Sequence, residues 1–146
     1  MPNLQSVTIL LVEDDAGHAR LIEKNLRRAN LNNDLVVLSD GLLALDYVFR
    51  QGEFKDRDHT QALLILLDLN LPVLDGYQVL KRLKSEEQTK KIPIVILTTT
   101  DDPREVARCY ELGCNVYVTK PVEYAEFSEA IRQLGLFLAV VTIPDA

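Results

Sequence analysis

Two apolar runs in this chain end on acids, and two others end on a hydroxyl and an amine. LLILLDLNLP, Leu63 to Pro72, changes polarity at Asp68, and LLVEDD does so at Glu13, Asp14 and Asp15. IPIVILT ends on Thr98 and NVYVTK on Lys120. A carboxylate at the edge of an apolar core is costly to hold as a charge unless something pairs with it or ligates it. Singly, each residue has an ordinary use as helix cap, turn former, strand-end hydroxyl or surface charge. Gathered in one crevice, the carboxylates would repel and raise the proton affinity of at least one of them, unless a cation neutralises the cluster. A hard divalent ion does that, and magnesium suits a site with few carboxylates that keeps waters and binds phosphate. A metal and a lysine around an aspartate make an activated carboxylate nucleophile facing a phosphoryl group. On that chemistry Asp68 is a phosphoryl acceptor.

The crevice requires elements that bring these positions together. Five times the pattern runs strand, then helix. VTILLV, DLVVLS, LLILLD, IPIVILT and NVYVTK are short apolar, largely β-branched runs of the kind that forms strands buried in a parallel sheet. Between them, apolar positions step by three and four: Ala19, Ile22, Leu26 and Ala29; then Leu45, Val48 and Phe49; then Val79, Leu80 and Leu83. Asp15 is placed to cap the first helix, Asp101 or Asp102 the fourth, with Pro103 in its first turn and Gly113 just past its end. Phe127, Ala130, Ile131, Leu134 and Leu138 form the stripe of a long last helix. Alternation of this kind predicts right-handed crossovers and an α/β, doubly wound, three-layer fold. Ligands of such folds bind at the carboxyl ends of the strands. Glu13, Asp14, Asp68, Thr98 and Lys120 all fall on that edge.

Composition bounds the alternatives. The 146 residues suit one domain, 47% of them are hydrophobic, and 16 basic against 22 acidic residues leave a net charge of −6. An acidic surface argues against binding a nucleic-acid backbone. No apolar run reaches the roughly 20 residues of a membrane span, and MPNLQSV lacks the features of a signal peptide, so a cytoplasmic location is expected. Cys109 and Cys114 have no histidine at a zinc spacing and are expected to be packing thiols. His18 and His59, without placed partners, are expected on the surface.

The motifs LLVEDD, LLDLNLPVLDG, ILTTTDD and YVTKP resemble, in order and spacing, those of two-component response regulator receiver domains. The resemblance spans about residues 7–138 and implies a five-stranded parallel sheet of order 2-1-3-4-5. It makes Asp68 the phosphorylated aspartate, Glu13 and Asp14 the acidic pair holding magnesium, and Asn70 a metal ligand through its backbone carbonyl. Thr98 and Lys120 would contact the phosphoryl oxygens, and Pro121 would follow a cis peptide bond that aims the lysine. Tyr117 matches the aromatic whose rotamer is coupled to the threonine. Asn70 and Thr100 occupy positions where the family varies the side chains that tune hydrolysis.

Only AVVTIPDA, residues 139–146, follows the last helix, so a stand-alone receiver is expected, acting on an unknown downstream protein. No catalysis beyond slow self-dephosphorylation is expected of it. The stretch RQGEFKDRDHTQA is long for a helix-to-strand link and lies at the far end of the sheet from Asp68, where it reads as a solvated loop, or else as a segment with a partner or structural role. With the ending EFSEAIRQLGLF, it resembles the single-domain regulators paired with phytochrome histidine kinases, a subgroup that often dimerises. Leu136, Phe137, Val140, Val141 and Ile143 are apolar on more than one face and suggest a homodimer surface. An aspartate-dependent phosphohydrolase would want a second acid where Asn70 stands, and a nucleotide binder a Gly-rich loop where EDDAGHAR stands. The remaining alternative is an interaction module that works without phosphorylation.

Overall fold

A computed structural model describes residues 7–28, 30–58 and 61–120, with positions 125, 129 and 133, of the chain. In chain order the elements are β1 (Thr8–Val12), α1 (Ala16–Arg28), β2 (Leu35–Leu38), α2 (Gly41–Phe49), β3 (Leu63–Leu67), α3 (Gly76–Ser85), β4 (Ile94–Thr98), α4 (Pro103–Leu112) and β5 (Val116–Thr119). The sheet is parallel throughout and ordered β2-β1-β3-β4-β5, as the alternating pattern and the resemblance imply. Ala125, Glu129 and Gln133 are helical, at the place expected for the last helix.

β1, β3 and β4 are buried at every position, which is why they read as unbroken apolar runs rather than alternating ones. Alternate residues still go to opposite faces of the sheet. Ile9 and Leu11 join Ile22 and Leu26 of α1 in one core, together with Leu64 and Leu66 of β3. Leu10 and Val12 join Val48 of α2 and Val79, Leu80 and Leu83 of α3 in the other, with Ile65 and Leu67. Cys109 and Cys114 are free and buried in this second core, as expected of packing thiols.

The helix ends follow the sequence signals. Asp15 Oδ1 accepts from His18 N–H at 3.0 Å just before α1. Of the two candidates for α4 it is Asp102 that caps, accepting from Arg104 N–H at 2.9 Å, with Pro103 in the first turn and Gly113 left-handed at the end. Asp75 and Gln78 make a reciprocal capping box at the start of α3.

The link after α2 is mostly exposed, as expected of a solvated loop, and it is also tied down. Arg57 Nε donates to the Tyr47 carbonyl at 2.8 Å, its other nitrogens reach Val48 O and Gln61 Oε1, and the guanidinium lies 4.6 Å from the centre of the Tyr47 ring. Gln61 in turn donates to Thr8 Oγ1 at 2.7 Å, tying the loop to the start of β1. A guanidinium has five donors in a fixed fork, enough to bind the carbonyls at the end of α2 and a loop side chain at once. The exposed link therefore also carries a structural anchor, the Arg57 guanidinium.

Ala29, His59, Pro121 with its expected cis bond, the last-helix stripe (Phe127, Ala130, Ile131, Leu134, Leu138) and the apolar set Leu136, Phe137, Val140, Val141 and Ile143 lie outside the described residues.

Candidate functional site

The register of the sheet builds the site. Val12 pairs with Leu67, so the next residues, Glu13 and Asp68, leave adjacent strands side by side. Thr98 pairs with Thr119, and the following Lys120 donates its backbone N–H to Thr98 O at 2.6 Å. Glu13, Asp68, Thr98 and Lys120 are all buried, although the core around them is apolar. Asp14 is exposed.

Gly76 explains how the loop after Asp68 closes over it. A Cβ at this position would collide with the Asp68 carbonyl oxygen and lie 2.6 Å from Leu69 Cα. Gly76 N–H donates to Leu69 O at 2.9 Å, so the first residue of α3 packs directly on the backbone of the aspartate. In the same loop Val73 is 72% exposed and sits at φ 70°, a left-handed conformation that a β-branched residue adopts only under strain.

The Asp68 carboxylate is oriented from two sides. The Asn70 N–H donates to Oδ1 at 3.2 Å, and the Lys120 ammonium lies 3.3 Å from Oδ2. Lys120 also donates to Glu13 Oε1 in a contact between fully enclosed groups. One oxygen from each of Glu13, Asp14 and Asp68 can be chosen so that all lie within 4.8 Å of one another. Burial pushes the Glu13 carboxyl up to about 7; Lys120 opposes that rise and the Asp68 charge adds to it. A donor set made only of hard carboxylate oxygens, with one member so reluctant to ionise, fits a divalent cation.

Thr98 carries the complementary signal. Its hydroxyl is buried with no hydrogen-bond partner among the described residues, a state that ordinarily costs about 1–3 kcal/mol. Tyr117, half-buried on β5, donates its hydroxyl to the Thr100 carbonyl at 2.5 Å and so joins β5 to the loop after Thr98. Burial pushes its phenol up to about 12, so it remains a donor. Thr100 thus takes part through its backbone.

One residue of the site escapes sequence reasoning. His18 keeps its side chain 43% exposed, in line with the expected surface position, yet places Nδ1 3.4 Å from Lys120 Nζ and 3.9 Å from Glu13 Oε1. Its position at the start of α1, directly after a strand-end acid pair, was the available signal, and nothing in the sequence marked Lys120 as its neighbour.

Residues 9–132 match the family described as the response regulator receiver domain. The chain belongs to that family. This receiver is 38% identical over 139 residues to Response regulator Rcp1 of Synechocystis sp., covering 94% of this chain and 93% of that one. Among solved structures, a response regulator receiver domain from Rhodospirillum rubrum is 53% identical with a TM-score of 0.88, over 96% of this chain and 99% of that one. The phosphorylated cyanobacterial phytochrome response regulator RcpA is 34% identical with a TM-score of 0.87, over 94% and 98%. The solved form of Rcp1 is described as Mn(2+)-bound; it shares 36% identity, with a TM-score of 0.86 over 94% and 99%. Receiver domains bind divalent metal and work with histidine kinases in two-component systems. Among the described residues no helix is long and apolar enough to cross a membrane.

Proposed function

We propose that this receiver is a phosphoacceptor switch in which Asp68 takes a phosphoryl group from the phosphohistidine of a partner kinase. The observation that carries this reading is the placement of the Asp68 carboxylate, held by Asn70 N–H and Lys120 at the edge of an acidic cluster. An Asp68 oxygen attacks phosphorus in line, the phosphorus–nitrogen bond breaks, and the kinase imidazole departs. Glu13, Asp14 and Asp68 would hold magnesium, with the Asn70 carbonyl as a further ligand. Bound there, magnesium supplies positive charge against the phosphoryl oxygens and the leaving group.

The chain's own donors do the rest. Lys120 is positioned to pair with one phosphoryl oxygen, and the Thr98 hydroxyl, without a hydrogen-bond partner among the described residues, is available for another. Drawing Thr98 inward pulls on the loop that Tyr117 grips through Thr100 O, which passes the change to the surface of α4, β5 and the last helix. Hydrolysis of the acyl phosphate resets it, with Asn70 and Thr100 setting the access of water; the receiver is a substrate and signal carrier rather than an enzyme acting on others.

Similarity over nearly the whole of both chains to RcpA, a phytochrome response regulator, supports a phytochrome-type kinase as the donor, and the apolar set Leu136, Phe137, Val140, Val141 and Ile143 is the sequence basis for a homodimer. A phosphotransfer assay decides the donor. Label on an autophosphorylated phytochrome-type kinase should move to the parent receiver within minutes, should stay on the kinase with Asp68→Asn, and should stay there when a chelator is added. Transfer to Asp68→Asn at the parent rate would overturn the assignment.

A further inference from the structure

A lysine ammonium has three N–H donors and no acceptor, and Lys120 is only 4% exposed, so each donor needs a protein partner. Among the described residues three acceptors surround it: Glu13 Oε1, Asp68 Oδ2 at 3.3 Å and His18 Nδ1 at 3.4 Å. With two carboxylates and one imidazole the count closes. Because the ammonium can only donate, Nδ1 takes part in this contact as the acceptor, the role open to the tautomer that carries its proton on Nε2.

We propose that His18 is a positioning residue for phosphoryl transfer: by accepting the third Lys120 proton it fixes the ammonium's rotation so that another N–H is aimed at Asp68. A head group with only two partners could turn between Glu13 and Asp68 or recruit water; three acceptors at fixed places leave one arrangement. An imidazole rather than a carboxylate as the third acceptor suits the charge already present. Glu13 and Asp68 are both carboxylates against Lys120, and a third would compete with the incoming phosphoryl group for the same cation. An imidazole satisfies the N–H and leaves the positive charge available. The contact joins the start of α1 to the end of β5, elements 102 positions apart, and so also ties the acidic pair to the lysine.

The inference rests on Asp68 as the acceptor, and its test separates the two. His18→Leu keeps bulk and removes the acceptor; His18→Asn puts an amide oxygen near the place of Nδ1. With acetyl phosphate and magnesium, His18→Leu should be phosphorylated about three to ten times more slowly at saturating donor, and His18→Asn within about twofold of the parent. The second readout needs no phosphorylation: the Lys120 ammonium signal in a lysine-selective ¹⁵N spectrum, assigned by its loss in Lys120→Arg, should shift in His18→Leu and return toward the parent in His18→Asn. A parent that is phosphorylated while His18→Leu matches its rate, or slowing shared by both variants with an unmoved Lys120 signal, would overturn the positioning role alone. A parent that takes no phosphoryl group from any donor would remove the acceptor reading and this role with it.

Discussion

The hydroxyl of Tyr117 on β5 is bound to the backbone carbonyl of Thr100, two residues beyond Thr98 on β4, at 2.5 Å. A strand-end aromatic is thereby fastened to the loop that must move if the Thr98 hydroxyl is recruited. Tyr117→Phe should cost about 1 kcal/mol in urea unfolding. Amide exchange of residues 99–102 should rise in the variant, and the further loosening expected on phosphorylation should shrink. Unchanged exchange in that loop would detach Tyr117 from it.

Removing the lysine should change how stability depends on pH. In the metal-free receiver the Glu13 carboxyl is pushed up to about 7 from its ordinary 4.5 by burial, even with Lys120 beside it. The folded state therefore holds a proton that the unfolded chain has released, so stability is full below about pH 4.5 and falls as pH rises through 7. Lys120→Met deletes the opposing cation and should widen the window upward, with a loss of about 3 kcal/mol at pH 8 and much less at pH 5. Urea midpoints at both pH values, with and without magnesium, measure this, and magnesium should restore part of the parent's loss.

Strain at Val73 can be relieved. At φ 70° and 72% exposed, this valine contributes little burial and occupies a region that asparagine tolerates. Val73→Asn should raise stability by about 1 kcal/mol, read as a higher urea midpoint at an unchanged slope. A fall would mean that the valine side chain makes contacts worth more than the strain.

Thiol chemistry should follow unfolding. Burial is the main cause that pushes both Cys109 and Cys114 up to about 11. At pH 8 the folded receiver should resist alkylation, and labelling should appear only across the urea transition. The same shift predicts that stability is unaffected by these groups below about pH 9 and declines as pH climbs from there through 11. Rapid labelling at pH 8 without denaturant would contradict the burial.

The three-layer architecture was legible because its strands are buried on both faces: apolar runs such as LLILL have few other uses at that length, and Asp15, Asp102 and Gly113 punctuated the helices. Convergence of Glu13, Asp68, Thr98 and Lys120 followed from the topology, since parallel strands of matched register end together. What the sequence did not show depends on contacts without a local pattern. His18 reaches a lysine 102 positions away only after α1 and β5 are both in place. Arg57 anchors its loop through backbone carbonyls, which every sequence offers alike. Val73 reads as an ordinary loop apolar residue, and its positive φ lies in the turn that brings Gly76 onto Asp68.

The central claim is that Asp68 accepts a phosphoryl group with the help of the acidic cluster, and intact mass measures it directly. The parent and Asp68→Asn are each incubated with acetyl phosphate, with magnesium and with chelator. One phosphate adduct on the parent with magnesium, and none in the other three samples, is the predicted result. An equal adduct on Asp68→Asn, or one on the parent regardless of metal, would contradict the account.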